Sequence, residues 1–281
     1  MNSILKHFAL SRILLPIAIA AASLGPNLAY AQNGNDRVAV NLTDPARPAM
    51  LKVSLVTGSI TVKGGAGKDV VVEAHSRGHE TPRTEGGMKR IPMNATGLTV
   101  EEENNQVRVK TDMVQRPVDM TITVPRRTSV TLRTVNDGDL SVSDVEGEID
   151  VSDVNGSITL TNVAGSVVAH AVNGRVLATI TRVDPKPMAF STLNGDVDVT
   201  FPADLKATVS FQSDQGEVYS DFDVQLQTTP PRPPTEDSRG NGKTYRVRTD
   251  KSVHGTINGG GADIQFKNFN GNIYVRKAGS K

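Results

Sequence analysis

The chain has 281 residues, with 31 Lys and Arg against 30 Asp and Glu, and it contains neither Cys nor Trp. Near-neutral charge excludes nucleic acid and anionic lipid as partners held by bulk electrostatics. The lack of Cys excludes disulfides, thiolate metal sites, Cys nucleophiles and thiol redox chemistry, so stability must rest on apolar burial and backbone ladders.

Residues 1–31 read as a cleavable export signal. Lys6 and Arg12 make a basic start, Ile13 to Leu24 form an apolar run, Gly25-Pro26 break it, and Ala29-Tyr30-Ala31 offers the small-x-small cleavage pattern. The run is about 12 residues, against the roughly 20 that a bilayer span needs. No Cys follows it for lipid attachment. Cleavage leaves Gln32 to Lys281 with 29 basic and 30 acidic residues, a length that buries a sizeable core. No later segment approaches spanning length. The mature chain is therefore expected to be soluble, in the periplasm or outside the cell.

Residues 32–50 read as an extended N-terminal segment, and 51–278 as one domain. Thr57-Gly58-Ser59-Ile60-Thr61-Val62 opens that domain with a glycine turn and an alternating strand. Val70, Val72 and Ala74 alternate, as do Leu98 and Val100 and then Val107 and Val109, with Asn104-Asn105 as a hairpin turn. Glu101-Glu102-Glu103 reads as a charged rim that blunts a strand edge. Residues 77–93 form a polar loop. His75 and His79, beside Glu80, have a metal-like spacing on a helix; here the stretch leaves a strand for a Gly/Pro loop, where that spacing builds no site.

The strongest signal is repetition. Gly138, Gly147, Gly156, Gly165 and Gly174 fall nine residues apart. With each Gly as position one, position three holds Leu140, Ile149, Ile158, Val167 and Val176, and position five Val142, Val151, Leu160, Ala169 and Ala178. Position eight holds Val145, Val154, Val163 and Val172. Positions three and five share one face of a strand, and position eight is out of phase with them. A turn at positions six and seven must return it to the same interior. Asn-Gly and Asp-Gly pairs suit a corner with left-handed backbone angles. Nine residues leave no room for a helix.

Looser copies follow at Asn194-Gly195-Asp196-Val197-Asp198-Val199, Gln215-Gly216-Glu217-Val218 and Asn270-Gly271-Asn272-Ile273-Tyr274-Val275. A longer unit repeats from Ile122-Thr123-Val124-Pro125 to Gly138 and from Val199-Thr200-Phe201-Pro202 to Gly216, with Pro ending a strand each time. Pro230-Pro231-Arg232-Pro233-Pro234 marks 228–243 as an extended excursion. Units this short cannot bury an apolar face alone. Stacked in register they make an all-β, single-stranded β-solenoid of short rungs, β-helix-like, with two or three sides per coil. The alternative is a β-sandwich with a hairpin at each Gly; units repeated in register rather than mirrored favour the solenoid.

The serial xGxIxV rungs from Val135 to Val176, the strand-Pro-strand-Gly units, and Ile257-Asn258-Gly259-Gly260-Gly261-Ala262-Asp263-Ile264 running to Asn270-Gly271-Asn272-Ile273 resemble a bacterial family of exported domains of unknown function catalogued as "putative adhesins". The resemblance covers roughly residues 50 to 276. It implies a β-helix-like fold outside the inner membrane, and no catalytic motif.

Three chemistries compete with a purely structural role for the outward residues. Asp144, Asp153 and Asn162 occupy position seven in successive units and would form an oxygen column for Ca²⁺ if successive units stacked; the calcium nonapeptide repeat wants paired glycines and a regular Asp, and turn-forming Asx residues account for the three more simply. Outward Asp150, Asp196, Asp198 and Glu217, with His170, Arg175 and Arg182, are the residues a polysaccharide-cleaving β-helix enzyme would use, but hydrolysis needs two carboxyls at a defined gap. Ser157 and Ser166 follow glycines without a G-x-S-x-G elbow. No catalytic, cofactor or metal residue is assigned. The expected function is a non-enzymatic envelope or cell-surface module that binds a protein or glycan. A polysaccharide-cleaving enzyme and a periplasmic partner of envelope-stress signalling are the alternatives.

Overall fold

The computed structural model describes residues 35–77, 84–85, 88–89, 96–112, 116–227 and 252–279. The export signal, His79 with Glu80 and the Pro-rich segment 228–243 lie outside the described residues. The chain enters on β1 (Asn35–Asn41) and makes a first coil from β2 (Ala49–Ser54) and β3 (Ile60–Gly65). β4 (Asp69–Ser76) doubles back, and β5 (Thr84–Glu85) pairs with β6 (Met88–Lys89) as a small separate ribbon. β7 (Leu98–Glu103) and β8 (Gln106–Thr111) form the expected hairpin, with Asn104 and Asn105 both at positive φ in its two-residue turn.

The regular part runs through β9 (Val118–Pro125), β10 (Thr128–Thr134), β11 (Leu140–Ser143), β12 (Glu146–Asn155) and β13 (Ile158–Asn173). It continues through β14 (Val176–Val183), β15 (Met188–Asn194), β16 (Val197–Phe201), β17 (Ala207–Gln215) and β18 (Val218–Ser220). β19 (Val224–Leu226), β20 (Val253–Ile257), β21 (Ala262–Asn270) and β22 (Ile273–Lys277) complete it. No helix occurs among the described residues.

The fold is a two-sided β-solenoid. A front ladder runs β8–β2–β10–β12–β13–β15–β21–β17, every pair parallel. A back ladder runs β9–β3–β11–β13–β14–β16–β22–β18, again all parallel. β13 passes through a corner and serves both. A sandwich of hairpins would pair consecutive strands antiparallel, so the parallel ladders decide between the two architectures.

One coil is two glycine units. Leu140 pairs with Ile158 and Ile158 with Val176, eighteen residues apart, so each unit lies on the next but one. Successive units face each other across the core. Positions three and five are buried in every unit, as alternation requires. Position eight splits: Val145 and Val163 are fully buried, whereas Val154 and Val172 are half-exposed. The two corners differ, and this is the reason. Where the back ladder turns to the front, Asp144 and Asn162 adopt left-handed φ of 56° and 54° and turn the valine that follows inward. Where the front turns to the back, at Asn-Gly, the inward residue is position seven (Asp153 or Ala171).

From β15 onward the coil lengthens: Val176 pairs with Val197, and Ala169 with Phe190, twenty-one residues apart. The wider coils take larger side chains. Phe190, Phe266 and Phe211 stack in register at centroid spacings of 5.6 and 5.2 Å, and Phe201 meets the first two edge-on. Among the described residues, antiparallel strands cover three of the four ladder ends, all but β18. β4 and β1 cover β9, β7 covers β8, and β20 with β19 covers β17. Glu101 and Glu103 face Lys110 and Arg108 on the outermost β7, a charged edge of the kind that deters strand addition.

The stack does not follow chain order at its ends. The first coil, β2–β3, lies inside the later β8–β9 coil, and the last, β21–β22, lies between β15–β16 and β17–β18.

Candidate functional site

Outward polar side chains on this scaffold are largely occupied in ties between coils. Asp150, on the front face, receives two parallel hydrogen bonds from Arg133 at 2.9 and 2.7 Å. Asp198, on the back face, receives the same fork from Arg276 at 2.7 and 2.9 Å. Asp196 accepts the Asn272 N–H at 2.8 Å, and Glu217 accepts the Tyr219 hydroxyl. Asp150 therefore stands on the opposite face from Asp198, while Asp196, Asp198 and Glu217 belong to the back-ladder coils on either side of β22.

Asp196 belongs to a column at position two. Ser59 N–H donates to Asp119, Ser157 N–H to Asp139, Asn272 N–H to Asp196, and Glu217 N–H to Asn272, each 2.8 to 3.0 Å long. Arg77 adds two contacts of 2.6 Å to Asp119. Burial pushes the Asp119 carboxyl up, and the Arg77 guanidinium and Ser59 N–H outweigh it, holding that carboxyl below its usual range. Beside this column runs an asparagine ladder. Asn155 donates to Asn136 at 2.9 Å, Asn173 to Asn155 at 2.9 Å, and Asn194 to Asn173 at 2.8 Å.

The position-seven column is not one column. Because units stack at eighteen residues, Asn162 lies on Asp144, 3.5 Å apart at one corner, while Asp153 is inside the opposite corner. Among the described residues no group of three or more His, Asp or Glu is placed to hold a metal ion. His170 Nδ1 is 2.8 Å from Ser191 Oγ. Arg182 lies 3.9 Å from Glu146 and 3.4 Å from Asp184, and Arg175 is exposed. Ser166 donates to the Pro187 carbonyl at 2.9 Å, which leaves its hydroxyl in a loop tie rather than beside a base.

Two surface features were missed by sequence reasoning. On the front face a groove of about 330 Å³ has Val168 and Ala189 in its lining, with Pro187 from the loop that lengthens this coil. Thr208, Ser210, Asp263 and His254 supply polar groups. On the back face Tyr219 and Tyr274 stack at 5.2 Å, 9° from parallel, and the Arg276 guanidinium sits 5.3 Å from the Tyr274 ring centre. The signal for the tyrosines was present: both occupy position four of a glycine unit, one of which starts at Gly216 and the other at Gly271. The groove depends on pairing β17 with β21 and β20, which no local pattern announces.

Residues 49–258 match the family described as Toastrack DUF4097. The chain belongs to that family. The Toastrack match spans the solenoid from β2 to the turn after β20, and the two strands that complete the stack, β21 and β22, follow it. Among solved structures the chain is similar to a "putative cell adhesion protein" from Clostridium sporogenes, at 10% identity over 86% of this chain and 99% of that one, with a TM-score of 0.44. It is also similar to a "putative adhesin" from Bacteroides fragilis, at 10% identity over 86% of this chain and 96% of that one, with a TM-score of 0.30. No curated protein matches it.

Proposed function

We propose that this Toastrack chain is an exported, non-enzymatic β-repeat protein that acts in the envelope or at the cell surface as a binding module for a protein or glycan. The observation that carries this reading is the use of the outward carboxylates. Asp150, Asp196 and Asp198 each hold a neighbouring coil in register, and Glu217 accepts the Tyr219 hydroxyl within its own coil, a structural employment that supports a non-catalytic role. The front groove and the tyrosine pair then remain as surfaces for a partner. Long regular faces engage partners through many weak polar contacts, with a few aromatic anchors carrying most of the energy.

The test is a binding screen of the purified chain against matrix proteins, glycans and whole cells, run beside Ala189→Trp, which fills the groove, and Tyr219→Ala, which removes the outer tyrosine. Saturable binding weakened roughly tenfold by one variant is expected. The absence of binding at any concentration, or depolymerisation of a polysaccharide abolished by Asp198→Asn, would overturn the reading.

A further inference from the structure

Inside the Asn-Gly corner runs a column of buried side chains, four of them polar. In register from coil to coil these are Thr134, Asp153, Ala171, Thr192 and Asn268, all less than 5% exposed. Three of them do the same thing. Thr134 donates to the Gly58 carbonyl at 3.3 Å, Thr192 to Gly174 at 2.7 Å, and Asn268 to Gly195 at 2.9 Å. Each bonds the corner glycine of the coil next to its own. In each case a buried side chain supplies a donor to the turned carbonyl.

Asp153 holds this position in the middle of the column. It is 0% exposed, and neither carboxyl oxygen has a well-formed hydrogen bond, although the Asn155 and Val154 N–H groups lie close enough to favour its charged form. The Gly138 carbonyl is the acceptor that its place in the register assigns to it. A Cβ built on Gly156 would lie 2.1 Å from that carbonyl oxygen and 2.6 Å from Asp153 Oδ2, so both oxygens border the same small space beside Gly156. An ionised carboxylate has nothing to give there, and two acceptors would face each other without a proton.

We propose that Asp153 acts as a neutral acid, its carboxyl O–H donating to the Gly138 carbonyl as Thr134, Thr192 and Asn268 do in their coils, and that loss of this proton loosens the centre of the solenoid. The charged groups around it reinforce this. On the adjoining strands Arg133 is bound to Asp150 and points outward, and His170 is bound to Ser191 on the surface. In the corner loop Asp137 faces Arg77 at 3.6 Å, and Asp139 adds its negative charge. The interior residues opposite, Leu140 and Ile158, are apolar. Among the described residues no cation acts on it. Burial, softened by the Asn155 and Val154 N–H groups and strengthened by Asp139, pushes the Asp153 pKa from 3.8 up to about 6.

The folded chain then binds a proton more tightly than the unfolded chain, so its stability falls as pH rises from about 4 to 6 and stays at the lower level beyond. The joint is tight in mild acid and slack at neutral pH.

The test is thermal unfolding of the purified chain between pH 5 and 8, beside Asp153→Asn and Asp153→Thr, with the carboxyl carbon of Asp153 followed by NMR. Wild type should lose roughly 5 °C over that range. Both variants should lose that drop and melt above wild type at pH 8, and histidine titration, common to all three, cancels in the comparison. The carboxyl should titrate between pH 5 and 7. An equal pH dependence in Asp153→Asn overturns the proposal, as does a carboxyl ionised throughout at pH 5. Recovery of the wild-type loss by calcium at pH 8 also overturns it, since the site would then be a cation site.

Discussion

Gly156 shows how one residue can be right for a reason other than its conformation. Its φ is not positive, unlike that of Gly195 at 142°, so an Asn-Gly corner does not demand a left-handed glycine there. Close approach demands it: a Cβ would lie 2.1 Å from the Gly138 carbonyl oxygen. The same closeness repeats up the corner through Gly138, Gly174, Gly195, Gly271 and Gly216. Gly156→Val should therefore cost more than about 3 kcal/mol, by overpacking against backbone that cannot yield, and melting in denaturant checks it. The nine-residue spacing was legible in the sequence. Which glycines meet was not, because stacking at two units rather than one separates Gly147 and Gly165 from the others. The buried Asp153 was hidden for the same reason, reading as one more turn residue beside Asp144 and Asn162.

The elements add cooperative ladders to these contacts. In the asparagine ladder Asn155 both gives and receives. Asn155→Ala should cost about 1 kcal/mol, the net worth of one or two exposed side-chain hydrogen bonds, and Asn155→Asp should cost at least as much, since a carboxylate cannot donate to Asn136. Urea unfolding at pH 7 measures both. The phenylalanine stack carries more. Phe266 is fully buried between Phe190 and Phe211, so Phe266→Ala should cost roughly 3–5 kcal/mol and speed amide exchange first in β15, β17 and β21. Strand existence and inward faces were readable here because period-two alternation is local. The split at position eight was not, since it depends on which corner a unit turns.

At the scale of the molecule, the displaced coils decide how the stack comes apart. Removing residues 262–281 takes away β21–β22, on which both β15–β16 and β17–β18 rest. That truncation should leave the coils from β8 to β14 protected while β17 and β18 exchange freely, which hydrogen exchange read by mass spectrometry resolves. Loss of β18 and β19 alone would be the outcome if the last coil were only an end cap. No local pattern betrays the insertion, because the residues that pair are far apart in sequence: Val209 meets Ile264, and Val218 meets Ile273.

The tucked-in last coil has a consequence for synthesis. A solenoid stacked in chain order can zip up from its start while the rest is still being made. Here β17 and β18 have no parallel neighbour until the final twenty or so residues arrive, and closing such long loops is slow. For a chain that crosses a membrane as proposed, the delay is useful. Its C-terminal third stays threadable through a narrow conduit until β21 and β22 emerge, and those strands seal the stack on the far side.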